Sequence, residues 1–360
     1  MGKISTQSNI GTVSVKNVIV FPPVFCFEYK TPNHILQEQH INHYVKRAKG
    51  GAGLIIVEAT AVAPDGALAE GGLGLWNDEQ TDGFRQLKKA CEQYDAKVLV
   101  QLNFAGVRST YANAALYAPS TVSVRGKQAV VMTKEDIVRV QDAFVSAAIR
   151  AKKAGLDGIE IHGAHGYLLS YFFDPTTNTR TDCYGKTAQN RARFATEIIS
   201  RIRKETGNNF IISCRMGSDI PDVDGAVEIA RLIENAGADV LHISTGTGMP
   251  NNEVPDDFPC NVIVYNAVQM KKHVNIPVIA VNKILTPEQC NYLIEGNMVD
   301  FVACARAMLA DEDFANAVLS GNDNYIPCSQ CKKCFWFSGE PFNCPGQIKK
   351  HSISKLSQKN

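Results

Sequence analysis

Short apolar runs recur along the chain, and each run is bounded by glycines or polar residues. In several of them the polar end of a helix leads into a glycine and then into a nearly continuous apolar segment. Such segments are too short for helices and are typical of strands that are buried on both faces. The chain contains eight of these predicted strands: VKNVIVFP (15–22), GGAGLIIVEAT (50–60), AKVLVQLNF (96–104), KAGLDGIEIHG (153–163), NFIISCRMG (209–217), NAGADVLHIST (235–245), IPVIAVNK (276–283) and EGNMVDFVACA (295–305).

Stretches with a helical period separate most of these runs, as in ATEIISRIRKETG (195–207) and PEQCNYLIEG (287–296). Alternating strands and helices predict an α/β fold with a parallel sheet, and eight such units close into a (β/α)8 TIM barrel. A doubly wound open sheet is the alternative, and it would require the pattern G-x-G-x-x-G after its first strand. Residues 20–30 read VFPPVFCFEYK and lack that pattern, so the barrel is favoured.

Three segments are expected along the 360-residue chain. The barrel should occupy residues 1–320, and a short cysteine-rich extension should occupy residues 321–345. Residues 346–360 are polar and basic, which predicts a flexible tail. Long connections follow the third and fourth predicted strands, and in a barrel they would lie at the C-terminal face, where active sites are found.

Composition and charge exclude several classes of protein. Hydrophobic residues make up 45% of the chain and charged residues 20%, as in ordinary globular proteins. The net charge is +1, so the chain lacks the basic surplus expected for a nucleic-acid or anionic-membrane partner. The N-terminus has no apolar segment of the kind that secretory signals carry. We therefore expect a cytoplasmic protein with no membrane or nucleic-acid partner, and a homo-oligomer is compatible with this interpretation.

Four of the eleven cysteines lie close together near the C-terminus, in the segment PCSQCKKCFWFSGEPFNCP. In a chain without an export signal this density points to a metal site rather than to disulfides. The spacing C-x2-C-x2-C resembles that of bacterial ferredoxins, which favours a [4Fe–4S] cluster. Structural zinc more often uses two C-x2-C pairs, but zinc and an incomplete site remain alternatives. The predicted ligands are Cys328, Cys331, Cys334 and Cys344.

Chemically versatile side chains follow the fourth predicted strand, GIEIHG. His162 and His165 lie at its C-terminal end, and Tyr167 comes two residues later. Two imidazoles and a phenol can polarise a substrate oxygen and supply a proton. Hydrogen-bonded loop residues without a catalytic role are the simpler interpretation. A zinc pair is a third, but no further ligand lies at a suitable spacing.

The segment HGAHGYLLSYFFDPTTNTRTDCYG, followed by NRARF, resembles the signature of the Old Yellow Enzyme family of FMN-dependent ene-reductases. The likeness covers about residues 5–315. It implies an FMN that lies across the barrel mouth and is reduced by NAD(P)H, followed by hydride transfer to the β-carbon of an activated alkene. His162 and His165 would bind the carbonyl oxygen of this small electrophilic substrate. Tyr167 would deliver a proton to the α-carbon.

The resemblance also implies a set of flavin contacts. The end of the first strand and the segment EATAV (58–62) would pack against the ring system, and a glutamine would pair with its pyrimidine ring. One arginine would lie near N1 and O2, while a second arginine and nearby backbone amides would bind the phosphate. In this chain the matching residues are Pro23, Val24, Ala59, Gln101, Arg215, Lys283, Ala305 and Arg306.

The chain departs from the family pattern at several positions. Phe25 takes a flavin-tuning position where relatives more often have Cys or a small polar residue, and Cys26 lies one residue further on. Asn282 stands where a glycine is common in the phosphate loop. The four-cysteine segment is similar in position to the [4Fe–4S] site of 2,4-dienoyl-CoA reductase and trimethylamine dehydrogenase, with a shorter gap before its last cysteine. A cluster there would allow one-electron delivery from a separate electron carrier, alongside or instead of NAD(P)H.

The leading hypothesis is an NAD(P)H-dependent flavin oxidoreductase that reduces α,β-unsaturated double bonds. A flavin and iron–sulfur dehydrogenase or demethylase of an amine or alcohol is the neighbouring alternative. A non-redox barrel lyase with structural zinc is a third possibility of another class. Such a lyase would use a lysine at a strand end to form a Schiff base, and Lys283 is the candidate.

Overall fold

Eight parallel strands close into a barrel in a computed structural model of the protein, which describes residues 2–29, 31–124 and 126–357. Each strand pairs with the next along the chain, and the last pairs with the first. The predicted (β/α)8 fold is therefore confirmed. The strands are β1 (Ile19–Phe21), β2 (Leu54–Ala61), β3 (Lys97–Asn103), β4 (Gly158–Gly163), β5 (Ile211–Gly217), β6 (Val240–Ser244), β7 (Val278–Val281) and β8 (Phe301–Ala303).

Helices connect the strands on the outside of the barrel, as the alternation of apolar patterns predicted. The α-helices are α1 (Glu38–Lys49), α2 (Thr81–Glu92), α3 (Lys134–Lys153), α4 (Leu168–Phe173), α5 (Ala188–Thr206), α6 (Val223–Asn235), α7 (Val262–Lys271), α8 (Pro287–Glu295), α9 (Ala305–Ala310), α10 (Phe314–Ser320) and α11 (Pro345–Ser357). Short 3-10 turns lie at Lys3–Ser5, Pro32–His34, Pro64–Gly66, Asp78–Gln80, Gly106–Arg108 and Pro341–Asn343.

Three two-stranded sheets lie outside the barrel in the described part of the chain. A hairpin of Ser8–Ile10 with Val13–Val15 precedes β1. In the long loop after β3, Tyr117–Ala118 pairs with Val130–Val131, and Ser123–Val124 pairs with Lys127–Gln128.

The apolar strand runs fold as predicted because they are buried on both faces. All eight residues of β2 and all seven of β5 are buried. Several helices begin at a polar side chain that accepts a hydrogen bond from the first turn, as Thr133 does for α3 and Asp222 does for α6. Each such cap stabilises its helix by about 1 kcal/mol. Among the described residues, no helix combines the length and the hydrophobicity needed to cross a membrane.

The C-terminal segment differs from its prediction. The tail expected to be flexible from residue 346 instead forms α11, which ends at Ser357, and residues 358–360 lie outside the described part of the chain. The Gln347 side chain donates hydrogen bonds to the carbonyl oxygens of Leu309 and Ala310, at 2.9 and 3.2 Å. Lys350 forms ion pairs with Asp311 and with neighbouring carboxylates. Polar contacts hold this helix against the end of α9, so the low hydrophobicity of the segment was misleading.

Candidate active site

A pocket of about 270 Å³ lies at the C-terminal ends of the barrel strands. Its size is near the lower end of the range of about 300–1,000 Å³ that is usual for small-molecule sites. Eight of the predicted site residues line it: Pro23, Val24, Ala59, Gln101, His162, His165, Tyr167 and Arg215. The structure thus brings together side chains from five strands and the loops that follow them.

Three predicted phosphate contacts do not line this pocket in the described part of the chain. Arg306 instead lines a separate small cavity that also contains the four clustered cysteines. Ala305 is the first residue of α9, and Lys283 follows Asn282 in a turn where both have positive φ, 54° and 106°. The Asn282 side chain accepts a hydrogen bond of 2.9 Å from the Asn261 amide. This contact holds a non-glycine residue in a backbone conformation that favours glycine.

The β4 strand and the turn after it position the two histidines and Tyr167. His162 is the penultimate residue of β4 and points into the barrel mouth. His165 and Gly166 have φ angles of 61° and 70°, which turn the chain back, and the His165 amide donates to the Thr245 carbonyl oxygen at 3.0 Å. The two imidazole centroids lie 5.1 Å apart, and the His162 ring lies 4.6 Å from the Tyr167 ring.

Both imidazoles are neutral. Burial, together with the positive charge of Arg215, holds the pKa of His162 and of His165 well below the usual range. The Nδ1 atom of His162 accepts a hydrogen bond of 3.3 Å from the Ala164 amide, which places the ring proton on Nε2. The Nε2 atom of His165 lies 2.8 Å from Ser244 Oγ. His162 is thereby fixed as a neutral donor.

Tyr167 is suited to hold a proton. Burial raises the pKa of its phenol, although the charges of Arg108 and Arg215 oppose that shift. Arg108 is itself held nearby, because its Nε donates to the His165 carbonyl oxygen at 3.3 Å. The phenol therefore stays protonated at neutral pH and can deliver its proton to a carbon that has become basic.

Arg215 brings a buried positive charge to the pocket and forms no ion pair with a carboxylate in the described part of the chain. Its side chain makes one long hydrogen bond, 3.4 Å from Nη2 to Ser244 Oγ, and its buried Nε has no partner among the described residues. Burial lowers the pKa of the guanidinium. An unpaired buried charge is costly, so this side chain is prepared for an anionic or electron-rich ligand group. That unsatisfied guanidinium fits the N1 and O2 edge of a flavin.

Comparison with known proteins identifies the family. The chain matches the model of the NADH:flavin oxidoreductase / NADH oxidase family over residues 8–324. The protein belongs to this family. Membership supports FMN as the cofactor and NADH or NADPH as the reductant, and it confirms the resemblance to Old Yellow Enzyme at family level.

Relatives of two lengths match the chain. It is 38% identical over 341 residues to an NADH oxidase of Thermoanaerobacter brockii, which covers 91% of this chain and 52% of that protein. It is 34% identical over 310 residues to an NADPH dehydrogenase of Bacillus cytotoxicus, with 85% and 88% of the two chains covered. The chain therefore spans about half the length of the first relative and most of the second.

Solved structures of the family share the fold. The structure of 2-naphthoyl-CoA reductase in complex with 2-naphthoyl-CoA matches 95% of this chain and 56% of that one, with a TM-score of 0.86 and 23% identity. The Old Yellow Enzyme homologue from Zymomonas mobilis matches 95% of this chain and 99% of that one, with a TM-score of 0.78 and 22% identity. At these identities the likeness supports the barrel and not a particular substrate.

The four clustered cysteines of this family member converge on one small cavity. Cys328, Cys331, Cys334 and Cys344 line it, and all four are half-buried. Burial raises the pKa of the Cys328 thiol. Within the described ranges, no group of three or more His, Cys, Asp or Glu side chains lies close enough to share a single metal ion. A [4Fe–4S] cluster does not require its four thiolates to lie within reach of one metal ion, because each thiolate binds a different iron atom.

Sequence reasoning missed several residues of the pocket. Leu68, Ser244, Thr245 and Phe337 also line it. Ser244 ends β6, so the rule that barrel sites lie at strand ends could have found it. Phe337 comes from the cysteine-rich extension, and no signal in its local sequence indicates that it reaches the barrel mouth.

Phe25 and Cys26, which follow β1, differ in their relation to the pocket. Phe25 lines the pocket, whereas Cys26 is buried outside it. The Cys26 amide donates to Glu58 at 3.2 Å, and burial raises the pKa of the Cys26 thiol well above its usual range. The thiol is therefore protonated, and its Sγ lies 3.9 Å from His43 Nε2.

Proposed function

We propose that the protein is an FMN-dependent oxidoreductase that uses NADH or NADPH to reduce activated, α,β-unsaturated double bonds. One observation carries the proposal. Two neutral imidazoles and a protonated phenol line the same pocket as a buried guanidinium whose Nε has no partner among the described residues. The two imidazoles can donate hydrogen bonds to a substrate oxygen, and the phenol can give a proton to a substrate carbon. The guanidinium can bind the electron-rich edge of a flavin.

The flavin would be held mainly by residues that already line the pocket. Arg215 and Gln101 are placed to contact the pyrimidine side of the ring, with Pro23, Val24 and Ala59 against its faces and edge. Lys283, Ala305 and Arg306 are proposed to contact the phosphate. When bound, FMN would take a hydride from NAD(P)H and supply it to the substrate.

His162, His165 and Tyr167, at the end of β4 and in the turn after it, would act on the substrate. Addition of a hydride at the β-carbon forms a C–H bond and breaks the π bond of the alkene, and the displaced electron pair builds negative charge on the carbonyl oxygen. Donors that are already oriented toward that oxygen lower the barrier without reorganising, and the Nε2–H of His162 is such a donor. His165 is proposed to act beside it. The Tyr167 hydroxyl then gives its proton to the α-carbon, which completes a saturated product.

The proposal is tested by purifying the protein without oxygen and recording its absorbance before and after NADPH or NADH. We expect a flavin spectrum that bleaches with one or both nucleotides and returns when 2-cyclohexenone is added. Reduction by histamine or another amine, with no return on enone, would favour the dehydrogenase alternative. A colourless protein that cannot be reconstituted with FMN would overturn the flavin proposal.

We further propose that Cys328, Cys331, Cys334 and Cys344 hold a [4Fe–4S] cluster that exchanges single electrons with a separate carrier. The convergence of the four thiols on one cavity supports this assignment. The loop that carries them also reaches the barrel mouth, because Phe337 lines the flavin pocket. The Trp336 ring lies 5.2 Å from the His43 ring of α1 and packs the loop against the barrel.

Replacing Cys331 by alanine should remove the cluster. The expected result is loss of most of the iron and acid-labile sulfide, and of the broad absorbance beyond the flavin bands, while FMN stays bound. The matched control is Cys183→Ala, because Cys183 is exposed and lies outside the cavity. It should leave the metal content unchanged. Stoichiometric zinc without sulfide in the wild-type protein would contradict the cluster and support structural zinc.

A further inference from the structure

A layer of polar side chains fills the inside of the barrel next to the flavin pocket, and Glu160 lies at its centre. Strand β4 places Glu160 directly beside Gln101 of β3 and Ser213 of β5. His242 of β6 faces the same carboxylate. All four side chains are buried, and Glu160 and His242 have no exposed surface.

The Glu160 carboxylate receives hydrogen bonds from three different strands. Its Oε1 accepts from Gln101 Nε2 at 2.8 Å, and its Oε2 accepts from Ser213 Oγ at 2.9 Å and from His242 Nδ1 at 2.8 Å. Burial alone would raise the pKa of this carboxyl, but the charge and hydrogen bond of His242, the charge of Arg215 and the Ser213 hydrogen bond lower it below its usual value. Burial lowers the pKa of His242, and the charge and hydrogen bond of Glu160 oppose that shift.

An ionised carboxylate fixes the orientation of the Gln101 amide. Such a group can only accept hydrogen bonds, so Gln101 must turn its NH2 group toward Glu160. The carbonyl oxygen of the same amide is then the end that Gln101 can offer to the pocket that it lines. A flavin presents one donor on its pyrimidine ring, the N3–H group, and this oxygen is the matching acceptor.

Glu160 also balances the charge of the site. Among the charges that favour the protonated form of Arg215, that of Glu160 contributes most. The Glu160 carboxylate accepts from Gln101, Ser213 and His242, whereas the Arg215 side chain donates to Ser244. The negative charge of Glu160 therefore offsets part of the positive charge of Arg215, while the Arg215 Nε keeps no partner among the described residues and can bind a ligand.

We propose that Glu160 is a positioning residue that directs the Gln101 carbonyl oxygen toward flavin N3–H and limits the net positive charge at the pyrimidine edge. The inference rests on the proposed function, since it assumes that FMN binds in this pocket. It predicts two separate properties of the bound flavin: a requirement for an unsubstituted N3, and a reduction potential lower than Arg215 alone would give.

The first property is tested in the wild-type protein by competition between FMN and 3-methyl-FMN for the apoprotein. A methyl group at N3 removes the donor and faces the acceptor oxygen. We expect FMN to be preferred by about tenfold or more, the size of one buried hydrogen bond. Equal binding of the two flavins would overturn the orientation that we infer for Gln101. Failure to bind either flavin would instead overturn the proposed function.

The second property is tested by Glu160→Gln, which keeps the shape of the side chain and removes its charge. Reduced FMN is anionic near N1, so the variant should favour the reduced form by about tenfold, a positive shift of about 30 mV for a two-electron couple. The preference for FMN over 3-methyl-FMN should also fall several-fold, because a glutamine at this position lets Gln101 present either end.

Ser213→Ala is the matched control, because it removes one donor to Glu160 and leaves the carboxylate in place. Its potential should stay close to that of the wild type. An unchanged potential in a folded, FMN-bound Glu160→Gln protein would overturn the charge-balancing role. If that variant does not fold, the wild-type competition still decides the orientation of Gln101.

Discussion

Replacing Tyr167 by phenylalanine should slow the reduction of an enone by about 10²–10⁴-fold, the usual contribution of a positioned general acid. The phenol lies beside the His162 ring, and burial keeps it protonated by raising its pKa. Phenylalanine preserves the ring packing but has no proton to give. Reduction of the flavin by NADPH or NADH needs no proton from this group, so that half-reaction should keep nearly its full rate.

Stopped-flow measurement of the two half-reactions separates these outcomes. Tyr171→Phe is the matched control, because Tyr171 follows in α4 and does not line the pocket. It should leave both half-reactions close to their wild-type rates. If Tyr167→Phe slows both half-reactions equally, the residue helps to bind or orient the flavin and is not the proton donor.

The barrel could be predicted from the chain because its strands carry a strong local signal. A strand buried on both faces, such as β2, must be apolar along its whole length, and this signal does not depend on distant contacts. The glycine that precedes such runs marks the end of a helix, which makes the alternation visible. The location of His162, His165 and Tyr167 followed from the same pattern, since they come directly after a strand.

Contacts between distant parts of the chain could not be predicted in this way. Phe337 reaches the pocket at the barrel mouth from the cysteine-rich extension, and α11 is held by Lys350 and the carboxylates around Asp311. Neither contact has a periodic signature in the sequence. Arg306, a predicted phosphate contact, lines the four-cysteine cavity, and its neighbourhood in the chain gives no sign of that contact.

Glu160 illustrates a different limit. It lies within the segment GIEIHG, which also contains His162. In the sequence alone, however, Glu160 is only a single charged residue between two isoleucines of an apolar strand. Its three donors belong to β3, β5 and β6, and only the strand register brings them together. A buried charge that is costly by itself becomes stable once it is fully hydrogen-bonded.

His162→Ala should lower the second-order rate constant for enone reduction by about 10²–10³-fold, as expected when one oriented donor to a developing oxyanion is removed. His162→Asn should retain much of the rate, because an amide can donate to the substrate oxygen and accept from the Ala164 amide as the imidazole does. If His162→Asn loses as much of the rate of enone reduction as His162→Ala, then His162 has a packing role and is not the hydrogen-bond donor. The measurement is the rate at which enone reoxidises the reduced flavin in each of the two variants.

The pH dependence of the same step tests the protonation state of the donor. Because burial lowers the pKa of His162 well below the ordinary value of about 6.5, its imidazole is already neutral on both sides of that pH. The wild-type rate should therefore show no change as the pH falls from about 7.5 to 6. A neutral donor is lost only when the pH falls through the lowered pKa, so any decline should begin below that range. A rate that instead rises as the pH falls through about 6.5 would mean that an imidazolium is the active form, and the assignment of a neutral donor would be wrong.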